Sequence, residues 1–551
     1  MILYIHKKRG EKRTMSYDEL LEKYNILNAK YENVKLENQN LRRIIYGVKR
    51  EYTPKQEQVE NCMQCSLFEN NEELDPKIEE EVKEKVEEIT IHKRKKSKTK
   101  KAGIKKSELK NVEVEVIEHT INDEERCPEC NGELVKVGSK VVRSEIEYIP
   151  AKLKITNHVE VTYKCKECGG KNSDNDKVIF VTTKAPKPLL THSFASPSLA
   201  AEVIYQKYYL GVPLYRQEKM WDDKGLILPR NMMANWNIKI TEYYLEYLYN
   251  LMLKTLKEEN ELMHNDETVM QCNKEENRKA TTNSYMWVLA SGAEEKTRGI
   301  IFNYSPSRSA QTAQKLLKGF KGILVTDGYA AYNNIENITH AECWAHCRRY
   351  FYESIPLTAK NKMDTSSYGY KGVKYCDKLF KIENEIAEFE LPEKLKARQE
   401  KSKPVLEEFF NWVKSMMTEK IILNEKLSKA LTYASNQKKE LSEFLEDARI
   451  PLSNSLAERA IRPFAVHRKN WLFADSVAGA ITNGVMYSII ESAKINKLNI
   501  QKYITYLLKE LPQLENIQDE KELAKFLPWS KELPDDILNF QGTYEELKLE
   551  D

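Results

Sequence analysis

Residues 262–270 read Leu-Met-His-Asn-Asp-Glu-Thr-Val-Met, and residues 322–327 read Gly-Ile-Leu-Val-Thr-Asp. Each is a short apolar run that reaches a carboxylate, the pattern of a buried strand carrying an acid near its end. Between them lie two more strand-like runs, Tyr285–Ala290 and Gly299–Asn303, and a helical stretch at 309–319. A further short strand is expected over Ile338–Cys343, with a helix from Trp344. Asp266 then sits on the first strand and Asp327 at the end of the fourth, its neighbour. Each acid has a plainer reading alone. Asp266-Glu267 suits an exposed edge, and Asp327-Gly328 is an ordinary turn dipeptide. Glu458 lies in Ser455-Leu-Ala-Glu458, a capping-box pattern that starts a helix. Two strand-borne carboxylates and one helix-borne carboxylate together meet the needs of hard divalent cations.

Three strands, a helix and another strand resemble the opening of a ribonuclease-H-like fold. N-terminal to it, residues 196–238 read as helices: Leu199–Tyr209, Leu214–Asp223 and a third from Pro229, broken at Gly211-Val-Pro213 and Gly225. Helix, glycine turn, helix is a helix-turn-helix pattern. Arg230 and Asn231, early in its last helix, are placed to reach base edges. A small helical bundle of any function would read the same way.

Further upstream, Cys127-Pro-Glu-Cys130 and Cys165-Lys-Glu-Cys168 are two knuckles with 34 residues between them. Four thiolates suit a closed, structural tetrahedral zinc site, and the segment between alternates like strands. Cys62 and Cys65 form a lone pair with weak metal character. Residues 17–48 carry a heptad: Leu20, Leu27, Val34, Leu41 and Val48 in one row, Tyr17, Tyr24, Tyr31, Asn38 and Ile45 in the other. That is a coiled-coil seam, with self-association the expected use.

The chain has 551 residues, 31% charged, with a net charge of only +3. The balance hides an acidic stretch at 72–88 and a run at 93–106 with nine Lys or Arg and no acid. Basic blocks of this kind are solvated linkers or phosphate contacts. No apolar stretch approaches the ~20 residues of a membrane span, so a cytosolic protein without membrane contact is expected. Ten cysteines in a reducing compartment point to metal rather than disulfides.

The sequence resembles the transposases of the insertion-sequence 66 family over nearly its whole length. The stretches that carry the resemblance are Cys127–Cys130, Tyr148–Lys152, Tyr163–Cys165, Val212–Gln217, Asp266–Thr268, Thr326–Ala330, Cys343–Arg349, Ala457–Pro463, Arg468–Phe473 and Leu527–Trp529. The resemblance implies a catalytic Asp-Asp-Glu set at Asp266, Asp327 and Glu458. It also implies a helical insertion within the 130 residues between the second and third acids, expected at about 360–450. Accessory proteins encoded by the same element are a further implication. The chain departs from the family where Ser453 precedes Asn454, since the family usually has an acid there.

The expected architecture is therefore multidomain and mixed α and β. An N-terminal extension (1–15) and a coiled coil (16–50) lead through a charged linker (51–120) to a β-rich zinc-binding module (121–190). A helical DNA-binding module (191–256), a ribonuclease-H-like α/β catalytic domain (257–493) and a helical tail (494–551) follow. The expected activity is cleavage of double-stranded DNA at the element's ends and joining to a target. It uses two Mg²⁺, with Mn²⁺ as substitute, that clamp the attacking and leaving oxygens. Arg459, Arg462, Arg468 and Lys469 are read as a cluster around Glu458 that grips phosphate. His346, between Cys343 and Cys347, is read as structural or near DNA, because three ligands on one helical turn cannot all face one ion. Two other readings stay open: a two-metal nuclease without strand transfer, and a catalytically impaired relic that binds DNA and zinc.

Overall fold

The computed structural model describes residues 152–164, 180–333, 335–358, 362–418 and 424–538. The heptad region, the basic run and Cys127, Cys130, Cys165 and Cys168 lie outside these residues. The chain divides into two compact units, one of residues 54–183 and one of the remainder. The described part of the smaller unit is an antiparallel ribbon, β1 (Thr162–Lys164) on β2 (Phe180–Thr182). Thr162 and Thr182 face each other there, their hydroxyls 2.9 Å apart.

In the larger unit a sheet is built on β3 (Leu262–Lys274). On one edge, β3 pairs antiparallel with β4 (Asn283–Ser291), which pairs antiparallel with β5 (Ile300–Ser305). On the other edge it runs parallel to β6 (Gly322–Thr326), which runs parallel to β7 (Ile338–Glu342). The sheet order is β5-β4-β3-β6-β7. The β3–β6 pairing ends with His264 opposite Val325, and the far half of β3 is taken up by β8 (Phe473–Ser476) from Gln271 onward. The middle of β3, from Asn265 to Met270, thus has an edge open between two parallel partners. The strand predictions hold within a few residues, apart from β3, which runs on to Lys274.

The helices preceding the sheet are α1 (Pro197–Ile204), continued by a π-turn to Tyr209, α2 (Leu214–Asp223), α3 (Arg230–Ile240) and α4 (Glu246–Glu259). Their breaks fall where glycine and proline predict them. Their buried faces share one apolar core with the sheet and with helices that follow it. After β5 comes α5 (Ala310–Leu317), and α6 (Trp344–Glu353) starts directly beyond β7. Helices α7 (Tyr368–Glu385), α8 (Leu391–Ala397), α9 (Lys403–Thr418) and α10 (Glu425–Asn436) then build the expected helical insertion around a second core. Inside that core Arg398, fully buried, grips Glu383 through Nε at 3.0 Å and Nη2 at 2.5 Å, and donates to the carbonyls of Phe444, Asp447 and Ile450.

The chain returns to the sheet through α11 (Ser455–Trp471), β8 and the almost wholly buried α12 (Val477–Ile495). Ser488 and Ser492 of α12 accept the backbone N–H groups of Phe302 and Ile300 at 2.7 and 2.9 Å, and so dock the helix on β5. The last helices, α13 (Ile500–Glu510), α14 (Glu520–Ala524) and α15 (Asp535–Leu538), close the same core. Among the described residues, no helix is long and apolar enough to cross a membrane.

Candidate active site

Extending the β3–β6 register by two residues sets Asp266, on β3, level with Asp327, one residue past the end of the parallel strand β6. The structure holds the second of these acids in a tight turn. Gly328 has φ +82°, a conformation that favours glycine. A Cβ there would also stand 2.5 Å from the Tyr433 hydroxyl and 2.9 Å from Glu342 Oε2. The Asp-Gly pair is therefore a turn and also a point of close approach. Tyr433, from α10 of the insertion, donates its hydroxyl toward the carbonyl of Asp327 (3.2 Å) and Oε2 of Glu342 (3.1 Å). The insertion thus braces the loop that carries Asp327.

Glu458 comes in on the first turn of α11. Its helix is anchored by Asn454, which is fully buried. Asn454 Nδ2 donates to the carbonyl of Asn265 at 2.9 Å, filling the edge of β3 where β6 has ended. Its Oδ1 then faces Nδ1 of His264 at 2.9 Å, so that nitrogen carries the proton. Its backbone N–H donates to the Cys343 sulfur at 3.1 Å. Burial lowers the His264 pKa to about 4, which keeps the ring neutral. One amide thus joins β3, the β7–α6 junction and α11. Here the capping-box expectation is corrected: the N-cap is Asn454, not Ser455, and its side chain is spent across the sheet rather than on its own helix. Ser453 lies one residue outside the cap, so replacing the family's acid there does not replace a helix cap.

These side chains lie within electrostatic reach of one another. Asp266 is held well above the usual carboxylate range, by burial first and then by the charges of Asp327, Glu267 and Glu458. Glu458 is raised by burial and Asp327, against the pull of Arg349, Arg459 and Arg462. Two acids not singled out from sequence join them. Glu267 is nearly inaccessible, ion-paired to Arg308 Nε at 2.5 Å and accepting the Tyr332 hydroxyl at 2.5 Å. Glu342, at the end of β7, is pushed up to about 8, chiefly by burial, and its Oε1 is buried without a hydrogen bond. Arg308 also lies over the Tyr329 ring at 3.8 Å, and Tyr329 N donates to Asp327 Oδ1.

The expected basic residues fall into three places. Arg459 and Arg462 are within electrostatic reach of Glu458. Arg468 and Lys469 lie ten or more residues further along α11, roughly 15 Å at 1.5 Å per residue. They do not form one cluster with Glu458 as the sequence suggested. Arg230 and Asn231 are exposed in the first turn of α3, where Glu218 Oε1 accepts the N–H of Arg230. Arg349 was passed over, although it follows His346 by three residues and so shares a helix face with it.

A sheet that gathers carboxylates from two strands and a later helix defines a class of chain with one buried polyacid site. Comparison with known families narrows it. The model of the transposase IS66 family matches residues 192–482, the zinc-finger binding domain of transposase IS66 matches 124–169, and the IS66 C-terminal element matches 488–529. The chain belongs to the IS66 family of transposases, and its zinc-finger domain contains all four cysteines of the two knuckles. Two uncharacterized proteins of Sinorhizobium fredii are similar: y4qI is 29% identical over 64% of this chain, and y4jD 27% identical over 73%. The chain spans 65% of the length of y4qI and 78% of y4jD. Among solved structures, the Drosophila P element transposase strand transfer complex aligns with 62% of this chain and 93% of its own at 12% identity, with a TM-score of 0.22.

Proposed function

We propose that the protein is the transposase of a bacterial insertion sequence, which binds the element's ends, cuts DNA there and joins it to a target. The observation that carries this reading is Asp266 on β3 level with Asp327 just past the end of β6, with Glu458 in electrostatic reach of both on the helix that Asn454 anchors. The strand order and the insertion after β7 support a ribonuclease-H-like catalytic domain over 257–493, with the insertion at about 360–450. The zinc-finger match supports one structural zinc on Cys127, Cys130, Cys165 and Cys168.

The residues present fit divalent cations. Carboxylates that raise one another's proton affinity are relieved when an oxygen-seeking ion is shared between them. Asp266, Asp327 and Glu458 would hold two Mg²⁺, with Mn²⁺ as substitute. Bound there, the ions supply charge stabilisation for the attacking and leaving oxygens of a phosphoryl transfer. The chain's own side chains do the rest. Arg459 and Arg462 grip phosphate beside Glu458, a task that suits guanidinium. Arg308 and Tyr332 fix Glu267 and so hold β3 in place. Asn454 sets the reach of Glu458 toward the strands. Arg230 and Asn231 present polar groups from an exposed helix start, and the heptad over 16–50 supplies self-association.

The test is a strand-transfer assay with full-length protein, Mg²⁺ and DNA bearing the element's ends. Nicking and joining are expected. Asp266→Asn, Asp327→Asn and Glu458→Gln should each lower both by ~10³-fold or more while DNA binding persists. Cleavage retained in any of the three removes that residue from the set. Cutting without joining of pre-cut ends makes the protein a nuclease instead. Salt-sensitive binding with no cutting makes it a DNA-binding relic.

A further inference from the structure

Cys343, His346 and Cys347 lie within five consecutive residues, and the structure separates them. Cys347 is fully buried in the core of the insertion, bonded toward Cys376. Cys343 and His346 turn the other way, toward Glu458 on α11. Donor atoms of Cys343, His346 and Glu458 all lie within 4.8 Å of one another, and His346 Nδ1 is 4.0 Å from Glu458 Oε1. The expectation that all three cannot face one ion holds, since Cys347 turns away, but Cys343 and His346 do converge, and a carboxylate from 112 residues downstream completes the group.

Two further observations point at a ligand. His346 Nδ1 is buried and has no hydrogen-bond partner among the described residues, which is costly for a polar atom unless something occupies the space before it. The Cys343 sulfur stands at the N-cap of α6 and accepts backbone N–H groups from Ala345, His346 and Asn454. Burial pushes the Cys343 thiol up to about 12, and a zinc-class ion that coordinates a thiol displaces its proton outright.

We propose that Cys343, His346 and Glu458 form a second cation site, for a thiophilic divalent ion of the zinc class, distinct from the hard-cation site and joined to it through Glu458. That Glu458 is shared rests on the function proposed above; the cation site itself does not. Sulfur and imidazole select zinc-like ions, whereas Mg²⁺ selects oxygen. Zinc bonds of ~2.0–2.3 Å set donor atoms about 3.3–3.8 Å apart, so the three groups need to close by about an ångström. Three protein ligands leave a fourth position for water or a phosphate oxygen. Zinc bound here would draw Glu458 from Asp266 and Asp327, so the same ion that steadies α6 against α11 would hold back strand chemistry.

The test uses full-length protein stripped of metal and titrated with Co²⁺, read by thiolate charge-transfer and d–d absorption. Wild type should take up one equivalent more than His346→Gln and one more than Cys343→Ser, with the zinc-finger equivalents unchanged. Glu458→Gln should weaken the extra equivalent at least tenfold. His346→Gln removes no hydrogen bond to Nδ1, so it reports on the site even if Cys343→Ser fails to fold. Equal stoichiometry and equal spectra in wild type and His346→Gln overturn the proposal. Strand transfer assayed on the same Glu458→Gln protein separates the two readings. Cleavage that survives while the cobalt equivalent weakens sinks the catalytic role of Glu458 and keeps the cation site. The reverse pattern does the opposite.

Discussion

In the helical insertion, a fully buried arginine meets a buried glutamate and its guanidinium donors also meet carbonyls. At the edge of β3, burial first and then one another's charge push the crowded carboxyls toward protonation. Burial alone would raise Glu383, but Arg398 and Lys394 hold it below its usual range. Asp266 and Glu342 stay above theirs, and so do Glu267 and Glu458 despite nearby arginines. The first arrangement is complete as a structure. The second is complete only with positive charge from outside the chain, and that distinguishes a site from a strut.

The largest effect should come from breaking the complete network. Glu383→Ala leaves Arg398 buried without its partner and should destabilise the protein by about 3–5 kcal/mol, measured by denaturant unfolding. A loss below about 1 kcal/mol would mean that the pair is not closed as described. Next comes Glu342. Its folded pKa, about 8, lies above the unfolded value of 4.5, so the native state holds this proton more tightly. Its stabilising share is full below pH 4.5 and is lost as pH rises through about 8, a few kcal/mol in all at ~1.4 kcal/mol per pKa unit. Melting temperature in chelator should fall across that window, and Glu342→Gln should flatten the fall. An unchanged slope in the variant would assign it to other acids.

Strands β3 to β7 and the helix breaks were legible in the sequence, because apolar period and Gly/Pro punctuation are local signals; β8 was not, and the three acids were picked out through the family resemblance. The sequence did not reveal what joins them. Asn454 bonds to residues 189 and 190 positions away, and no local pattern marks an asparagine for that task. Glu267 was read with Asp266 as suiting an exposed edge, yet its side chain is nearly inaccessible, ion-paired to Arg308 and bonded by Tyr332. Cys343 and His346 were set aside on helical geometry alone, since their third partner arrives from beyond the insertion.

Asn454→Ala tests that joint. It strands a carbonyl and a histidine nitrogen, and should cost about 1–3 kcal/mol in unfolding free energy with a disproportionate loss of strand transfer. Stability lost with activity intact would show that Asn454 does not set the position of Glu458. The smallest effect has the opposite sign from the first. Asp266→Asn removes a buried charge and its repulsion with Asp327, and should stabilise the metal-free protein at neutral pH. Destabilisation would place Asp266 with Glu383 as a paired structural acid.

The most direct measurement is anomalous diffraction from Mn²⁺ in crystals of the protein bound to its DNA ends. Manganese peaks bridged by Asp266 and Asp327, with Glu458 among the ligands, are predicted. Peaks that Glu458 does not touch, or none between the two aspartates, would contradict the convergence of the three acids on one cation site.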